Sequence, residues 1–414
     1  MGQQNKVYAE VKLHGILILL HTPFGLTLFN KLAKTRAARI YARFNVYIMP
    51  AITALAISLI VSSLAVVFSN AAAREGARDV GPQGSLLIPG LNPYLPWTYG
   101  WLALIITIVV HEAGHGIVAR VYNITVESTG ILLVLGIIPV GAFVNIKQEE
   151  LEKTPLKQRS AILTAGPLNN MALAIISLIA LYLTVSTLTP LPMSGEPKFG
   201  VSVVGVSQGS LAESLGLSKG SIVQHIAGHE VHSVGDVGIL LRSNLGNTIE
   251  ITWQDNKGEI QSHQLTLPSI VKTKQGILGV IVTDLADPSL VLERYKSFFN
   301  SNPLALLVPP TLGKGSLTVP YSDMMATKYD SNILGSSFPI AANMLFWLWF
   351  INFNVGIFNA LPIILPLDGS QLYNSLIESR VTSKKHMLKN ASMLLTVAMT
   401  AMVFMSFLLP WLPF

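Results

Sequence analysis

The sequence predicts a polytopic α-helical membrane protein with about five spans, a membrane-associated β-loop and an inserted small α/β domain. Half of the 414 residues are hydrophobic and 12% are charged, whereas charged residues make up about a quarter of an ordinary soluble domain. Five uncharged runs reach the roughly 20 residues that a helix needs to cross a bilayer. These runs are residues 44–73, 80–110, 160–195, 331–367 and 390–414.

The charge distribution predicts how the chain is oriented. Residues 31–43 and 380–389 are rich in Lys and Arg and contain no acid, which is typical of cytoplasmic loops. Residues 196–330 carry twelve acidic against ten basic side chains, so we expect this stretch outside. We therefore attribute the net charge of +6 to basic cytoplasmic loops, and no nucleic-acid partner is predicted. Cysteine is absent, which excludes disulfides and thiolate metal ligands.

Read in order, the chain divides into seven segments. They are a cytoplasmic N-terminal or interfacial segment (1–45), a first span (46–69), the first part of a membrane core (97–194), a soluble β-rich domain (195–286), a connector (287–337), the second part of the core (338–380), and a basic loop with the last span (381–414). Within the first segment, residues 15–30 are too short and interrupted to span, so we expect a hairpin or an interfacial segment.

The strongest chemical signal is the pattern H-E-x-x-H in the second span. His111 and His115 are four residues apart, so on a helix they share one face and can bind one metal ion, with Glu112 beside them. Zinc is the natural ion, because imidazole is a common zinc ligand and a neighbouring carboxylate can act as the base. Ionisable residues inside a membrane are usually functional. The alternative is a helix end at the interface with hydrogen-bonded imidazoles.

Residues 130–146 are apolar, β-branched and broken by Gly and Pro. We expect a re-entrant strand or hairpin beside the histidines, because irregular backbone is tolerated in a membrane only where protein or water satisfies it. A short buried helix is the alternative, since short apolar runs are ambiguous. A second unusual feature is Gly166-Pro167 followed by two amides, Asn169 and Asn170, near the inner end of the third span.

Asp368 is the outstanding candidate for a third metal ligand. It closes a 37-residue uncharged run, and Pro362 and Pro366 interrupt the helix just before it. A carboxylate beside two imidazoles is an acceptable zinc set. The alternative is a helix-terminal Asp that pairs with Lys or Arg.

The soluble stretch resembles a PDZ domain over about 90 residues. The resemblance rests on the strand near 201–206, the helix near 210–215, Gly216 and Gly220 before the strand 221–226, and the turn at Gly228. It implies a strand–helix groove that accepts an extended peptide or protein ligand, and a passive steric plug is the alternative. The four histidines of this domain fit no single metal face, so we expect ordinary surface or core residues.

Together, three motifs in this order resemble the site-2 protease family. They are His111-Glu112-Ala113-Gly114-His115, Gly166-Pro167-Leu168-Asn169-Asn170, and Asn359-Ala360-Leu361-Pro362 followed by Leu367-Asp368-Gly369, with the PDZ-like insert between the last two. The resemblance implies an intramembrane zinc metalloprotease with one zinc ion on His111, His115 and Asp368, and Glu112 as the base. It also implies substrate or intermediate contacts from Asn170 and Asn359, with Asn354 as a second candidate, and a substrate-lining β-loop that includes Pro139 and Gly141.

The predicted function is hydrolysis of peptide bonds within or near transmembrane segments of membrane-protein substrates. A catalytically silent membrane adaptor would present the PDZ groove but would have no need of the metal-binding pattern. A zinc transporter would be expected to carry several intramembrane acids, and this chain offers essentially Glu112 and Asp368.

Overall fold

The structure is a computed structural model, in which the chain forms two compact units. One unit comprises Met1–Ala180 with Met344–Phe414, and the other comprises Leu181–Asn343. The structure describes residues 10–14, 17–134, 138–191, 199–269, 276–285, 287–301, 319–322, 325–365, 367–379 and 385–412. Pro366 and residues 380–384 of the predicted basic loop lie outside the described residues.

The described residues of the two units form twelve α-helices. In chain order the helices are α1 (Leu26–Ala33), α2 (Arg36–Ser69), α3 (Ala71–Val80), α4 (Trp97–Val121), α5 (Gln148–Lys153), α6 (Leu156–Ser186), α7 (Leu211–Ser214), α8 (Val234–Ser243), α9 (Pro288–Ser301), α10 (Phe338–Asn359), α11 (Asp368–Ser379) and α12 (Lys385–Leu408). Among the described residues, five stretches are long and apolar enough to cross a membrane, as the sequence predicts: Arg36–Ser69, Trp97–Val121, Leu156–Ser186, Gly335–Asn359 and Met393–Trp411. The chain is therefore a multi-pass membrane protein.

The first long helix begins earlier than its apolar run. Helix α2 starts at Arg36, because the Thr35 side chain accepts a hydrogen bond from the Ala38 N–H at 3.1 Å and caps the helix there. The basic side chains of its first turns can place their charges in water while their stems follow the helix surface. The stretch that follows this span contains a further short helix, α3.

Within the part of the chain that the structure describes, twelve strands form three sheets. In chain order they are β1 (Glu10–His14), β2 (Leu17–Thr22), β3 (Val126–Val134), β4 (Ile138–Ile146), β5 (Leu188–Pro190), β6 (Val201–Val206), β7 (Ile222–Ile226), β8 (His229–Glu230), β9 (Thr248–Gln254), β10 (Ile260–Thr266), β11 (Val280–Asp284) and β12 (Tyr329–Ser331). Strands β5 and β12 pair with each other.

The first unit contains an antiparallel sheet in the order β1-β2-β3-β4. Residues 130–146, for which the sequence predicts a re-entrant strand or hairpin, contribute to two paired strands rather than to the alternative short helix: β3 and β4 pair, for example, through Thr129 with Val144. The N-terminal segment adds the hairpin β1–β2 to β3. Among the described residues, β4 has no strand on its other side, so one row of its backbone N–H and C=O groups points away from the sheet.

The second unit contains a β-rich insert with its own core. Its main sheet has the order β10-β9-β7-β6-β11, and β8 pairs with β7. The core includes Trp253, which is 2% exposed, together with Ile226 and Ile251, which are fully buried. The predicted strands near 201–206 and 221–226 are present. Helix α8, which we did not expect, begins with a capping box in which Ser233 and Asp236 satisfy each other's backbone N–H groups.

Candidate active site

Helix α4 and the start of helix α11 bring three potential metal ligands together. His111 and His115 lie one turn apart on α4, and their Nε2 atoms are 3.2 Å apart. Asp368 Oδ2 lies 3.0 Å from Nε2 of His111 and 3.4 Å from Nε2 of His115. Among the described residues, these three form the one group of three or more His, Asp or Glu side chains whose ligand atoms converge closely enough to hold a metal ion.

Hydrogen bonds behind the imidazoles set their orientation. His115 Nδ1 lies 2.7 Å from the Ile162 carbonyl, which can only accept, so Nδ1 carries the proton and Nε2 offers a lone pair. His111 Nδ1 lies 3.0 Å from the side-chain amide of Asn170, whose Oδ1 is buried without a hydrogen-bond partner. Turning this amide by 180° lets Oδ1 accept from Nδ1–H and directs the His111 lone pair to the same point.

The backbone of helix α6 packs directly against the two imidazoles at Gly166. A Cβ atom at Gly166 would lie 2.3 Å from His115 Nε2 and 2.6 Å from His111 Nε2, so no side chain larger than hydrogen fits there. The two helices also approach closely at Gly114, where a Cβ atom would lie 2.6 Å from the Ala165 carbonyl oxygen. Glycine at these two positions therefore gives α6 access to the face of α4 that carries the histidines.

The geometry of the three side chains fits a zinc ion. Ligands of a tetrahedral zinc at 2.0–2.1 Å lie about 3.3 Å from one another, close to the three separations given above. With both Nε2 atoms unprotonated, three electron-pair donors face one point, and a cation is the group that such an arrangement satisfies. Asp368 Oδ2 is buried without a hydrogen-bond partner, which agrees with this interpretation.

Glu112 points to the β-sheet rather than joining the three ligands. Its Oε2 accepts a hydrogen bond of 3.0 Å from the Val144 N–H, which lies on the outer edge of β4. The carboxylate thus connects the histidine helix to the free edge of the sheet. Its place in sequence, next to His111 and about 100° round the helix, keeps it beside the metal-binding face.

A second amide, Asn169, ties α6 to two other helices behind the histidines. Its Nδ2 donates to the Val110 carbonyl at 3.1 Å, and its Oδ1 accepts from the Tyr41 hydroxyl at 2.7 Å. Tyr41 belongs to α2 and Val110 precedes His111 on α4. The pair of amides after Gly166-Pro167 therefore serves the site directly through Asn170 and the helix packing through Asn169.

The hydrogen bonds and strand pairing of the remaining predicted residues are made within helix α10 and between β3 and β4. Asn354 and Asn359 each donate Nδ2 to a carbonyl of their own helix α10, at 2.8 and 3.0 Å. Gly141 and Pro139 lie in β4, where they pair with Leu132 and Leu133 of β3, respectively. A Cβ atom at Gly141 would meet only the Leu132 side chain, at 3.7 Å, so the strand is open above this residue.

The groups that sequence analysis missed are mostly backbone groups. Three backbone groups contact the site: the Ile162 carbonyl, the Val144 N–H and the backbone at Gly166. The first two cannot be predicted from residue type, because nearly every residue carries the same groups. Gly166 was noticed for its place before Pro167, but the reason for glycine there is contact with two imidazoles. Tyr41 could have been suspected as a polar side chain in an early, partly apolar helix.

The fold and the site define a multi-pass membrane protein with a buried His–His–Asp group and a β-rich insert. Residues 99–406 match Peptidase family M50, which covers about three quarters of the chain, so the chain belongs to this family, the site-2 proteases. The resemblance predicted from the three motifs is confirmed. Membership of this family implies zinc, and the residues present fit that ion.

The chain is also similar in sequence to individual proteins of other organisms. The chain is 25% identical over 367 residues to an uncharacterised protein of Methanocaldococcus jannaschii, covering 88% of this chain and 78% of the relative. It is 26% identical over 310 residues to a protein of Clostridium perfringens provisionally named a zinc metalloprotease, covering 68% and 87%. It is also 28% identical over 174 residues to the protease RseP of Yersinia pestis, covering 35% and 36%.

Proposed function

We propose that this protein is an intramembrane zinc metalloprotease that hydrolyses peptide bonds within or near transmembrane segments of other membrane proteins. The observation that carries the proposal is the convergence of His111, His115 and Asp368 in a chain of the site-2 protease family, with Glu112 beside them. These three residues would hold one zinc ion, and Glu112 would be the catalytic base. A bound zinc ion supplies Lewis-acid activation of a water molecule and of the scissile carbonyl.

The protein's own groups would carry the proton. The Glu112 carboxylate accepts a proton from the attacking water while the new C–O bond forms, and returns it to the amine as the C–N bond breaks. The Val144 N–H, 3.0 Å from Oε2, holds this carboxylate in place before substrate binds. The Ile162 carbonyl and the Asn170 amide keep the two imidazoles in the orientation that leaves Nε2 free.

Substrate binding would use the free edge of β4. A helical segment shields its own carbonyls by hydrogen bonding them, so a substrate must be extended locally before hydrolysis. An extended segment can add to the edge of a sheet by backbone hydrogen bonds, and β4 offers such an edge with Gly141 open to one side. A substrate that pairs next to Val144 would compete with Glu112 for the same N–H. Substrate pairing would then release the carboxylate toward water.

The β-rich insert would act as a PDZ-like domain. Strand β11 is an edge strand of the main sheet, and helix α8 packs against both β11 and β7. The first N–H of α8, at Val234, donates to the Asp284 carboxylate at the end of β11 over 2.7 Å, which fixes the helix beside the strand. An extended peptide or protein ligand would add to β11 in this groove. A passive steric plug remains the alternative use of the same domain.

We assign the insert to the outside and the N-terminal segment to the cytoplasm, on the basis of the basic residues in 31–43. Because the chain has no cysteine, single cysteines can report the side of the membrane. Lys34→Cys and Gln208→Cys, both at exposed positions, should react with a membrane-impermeant maleimide from opposite sides of intact vesicles. Labelling of both from one side would refute this orientation.

Cleavage of a panel of transmembrane peptides by the full-length protein in detergent tests the proposed activity. We expect cleavage that stops when a zinc chelator is added and returns with zinc. Glu112→Gln is the matched control, because it keeps the size of the side chain. Zinc binding without cleavage of any peptide would instead favour the adaptor or the transporter. Within the five spans, Glu112 is the one acidic residue, which makes a transport path built from acids difficult to assemble.

A further inference from the structure

The loop between α10 and α11 leads to Asp368, and two other helices, α2 and α12, contact it by hydrogen bonds. Near its start, the Ala360 carbonyl accepts a hydrogen bond of 3.0 Å from the Thr53 hydroxyl of α2. Further along, the Ile364 N–H donates to the Thr400 hydroxyl of α12, also at 3.0 Å. Ala360 is fully buried, so its carbonyl needs a protein partner once α10 has ended. Thr53 supplies that partner.

Thr53 also connects the two sides of Asp368. The hydroxyl of Tyr373, on the second turn of α11, donates to Thr53 Oγ1 at 3.0 Å. Thr53 therefore accepts from a residue after Asp368 and donates to a carbonyl before it. Hydrogen bonds in such a chain strengthen one another, because each donor is polarised by the bond that it accepts. The Thr53 proton is shared with the Met49 carbonyl of its own helix at 3.1 Å, an ordinary bifurcated arrangement.

Close packing transmits the position of Ala360 to Asp368. A Cβ atom at Gly369 would lie 2.5 Å from the Ala360 carbonyl oxygen, so the first turn of α11 rests on that carbonyl without a gap. Apolar residues of α2 cover the same loop: Met49 and Ile52 lie in one buried cluster with Ala360. A shift of the carbonyl would thus move the residue that carries the carboxylate.

We propose that Thr53 and Tyr373 are positioning residues that hold Asp368 at the separation from His111 and His115 that a metal ion needs. The inference rests on the proposed zinc site and adds a role for α2, which lies outside residues 99–406 that match the family. Thr53 and Tyr373 are not among the three converging ligands, and their hydroxyls bond to Ala360 and to each other. Their effect is expected on the affinity for zinc, because a ligand held less firmly loses more entropy when the ion binds.

The test measures the zinc dissociation constant of the full-length protein by competition with a chelator. Thr53→Val keeps the shape of the side chain without the hydroxyl, and Tyr373→Phe removes the other hydroxyl. We expect each to weaken zinc binding about tenfold, at the lower end of the effect of residues that orient metal ligands. Thr53→Ser, which restores a hydroxyl, should bind zinc nearly as tightly as the wild type. The double variant should bind zinc as tightly as the single variant with the lower affinity, because both hydroxyls belong to one series of hydrogen bonds.

Thr107→Val is the matched control. Thr107 is fully buried on α4, but its hydroxyl donates at 2.7 Å only to the Ala103 carbonyl of its own helix, so zinc affinity should not change. Wild-type affinity in Thr53→Val and Tyr373→Phe would overturn the positioning role. The positioning role would also be overturned if Thr53→Ser bound zinc as weakly as Thr53→Val, because the loss of affinity would then come from altered packing rather than from the missing hydroxyl. A wild-type protein that binds no zinc would instead refute the proposed function, a result distinct from either of these.

Discussion

The histidines of α4 and the histidines of the β-rich insert are one residue type in two settings. His111 and His115 are 8% and 9% exposed, and both Nε2 atoms face Asp368. In the insert, His225 and His232 pack edgewise or tilted against Phe199, with ring centroids 5.5 and 5.3 Å apart. His232 also pairs with the exposed Glu230 at 3.2 Å. From the sequence, these insert histidines are predicted to be ordinary surface or core residues.

The difference indicates that a candidate metal site is marked by convergence and burial of its ligand atoms rather than by the number of histidines. On α4, a spacing of one helical turn fixes two nitrogens on one face, and the surrounding apolar core makes an unpaired polar group costly. In the insert, water can replace either partner of an exposed pair such as His232 and Glu230 at little cost. The pair therefore contributes little to the stability of the fold. The predictions that follow test this contrast, beginning with the largest effect.

Removal of one converging ligand should abolish both zinc binding and cleavage. We expect metal analysis of the purified protein to show about one zinc per chain in the wild type and close to none in His111→Ala or Asp368→Ala. The comparison variants His225→Ala and His232→Ala should keep the wild-type zinc content. Unchanged zinc in His111→Ala and Asp368→Ala, or a loss of zinc in the insert variants, would contradict the assignment of the site.

Glu112→Gln should separate catalysis from metal binding. The amide keeps the size of the side chain but cannot accept the proton of water, and the loss of a general base typically slows a reaction about 10²–10⁴-fold. Zinc content should remain at the wild-type level, because Glu112 contacts Val144 rather than joining the three ligands. The measurement is turnover of a transmembrane peptide beside metal analysis of the same sample. Loss of zinc would make Glu112 a ligand or a structural support, and near-normal turnover would exclude it as the base.

Two glycines extend the contrast to the backbone. At Gly166 an added Cβ atom would meet both imidazoles at 2.3 and 2.6 Å, so Gly166→Ala must displace the ligands. Because displacements of about 1 Å can cost about 10²-fold in function, we expect a loss of zinc affinity of that order. At Gly238 on α8 an added Cβ atom meets nothing within 4 Å. Gly238→Ala should therefore leave zinc binding unchanged and stabilise α8 by about 0.5–1 kcal/mol. Equal zinc affinities in both variants would show that the site tolerates the added atom.

The smallest expected effect concerns Asp236, whose carboxylate accepts backbone hydrogen bonds in the insert as Glu112 does at the candidate site. The N–H groups of His232 and Ser233, each at 2.9 Å, lower the pKa of Asp236 below its ordinary value. Because the folded pKa lies below the unfolded value of about 3.9, this contribution is complete above that pH and is lost as the pH falls further.

We therefore expect the hydrogen-exchange protection factors at the start of α8, which compare each observed rate with the intrinsic rate at the same pH, to fall on acidification from pH 6 to pH 3 in the wild type. In Asp236→Asn the protection factors should be lower already at pH 6 and should change less with acid. Glu259→Gln, an exposed change of equal charge in the same domain, provides the control. If the control and Asp236→Asn behave alike, the effect comes from net charge rather than from the helix cap.

Local pattern accounts for the parts of this protein that sequence analysis predicted. The five spans follow from uninterrupted apolar runs, and the histidine pair follows from a spacing of four residues on a helix. The strands of 130–146 follow from β-branched residues broken by Gly and Pro, and Asp368 was visible as the acid that ends a long uncharged run. Helix α8 was missed although Ser233 and Asp236 form a capping box, because its glycines weaken the helical pattern.

The sequence by itself determined which residues are available for chemistry, and the tertiary structure decided how they meet. His111 and Asp368 are brought within 3.0 Å by helices far apart in the chain, and Thr53 reaches the Ala360 carbonyl across 307 positions. Contacts of the Val144 N–H, the Ile162 carbonyl and the Gly166 backbone involve groups that nearly every residue type carries. Periodicity reports the face of one helix or strand, because it reflects local backbone geometry. Contacts between distant segments depend on packing, which forms only when the chain has folded.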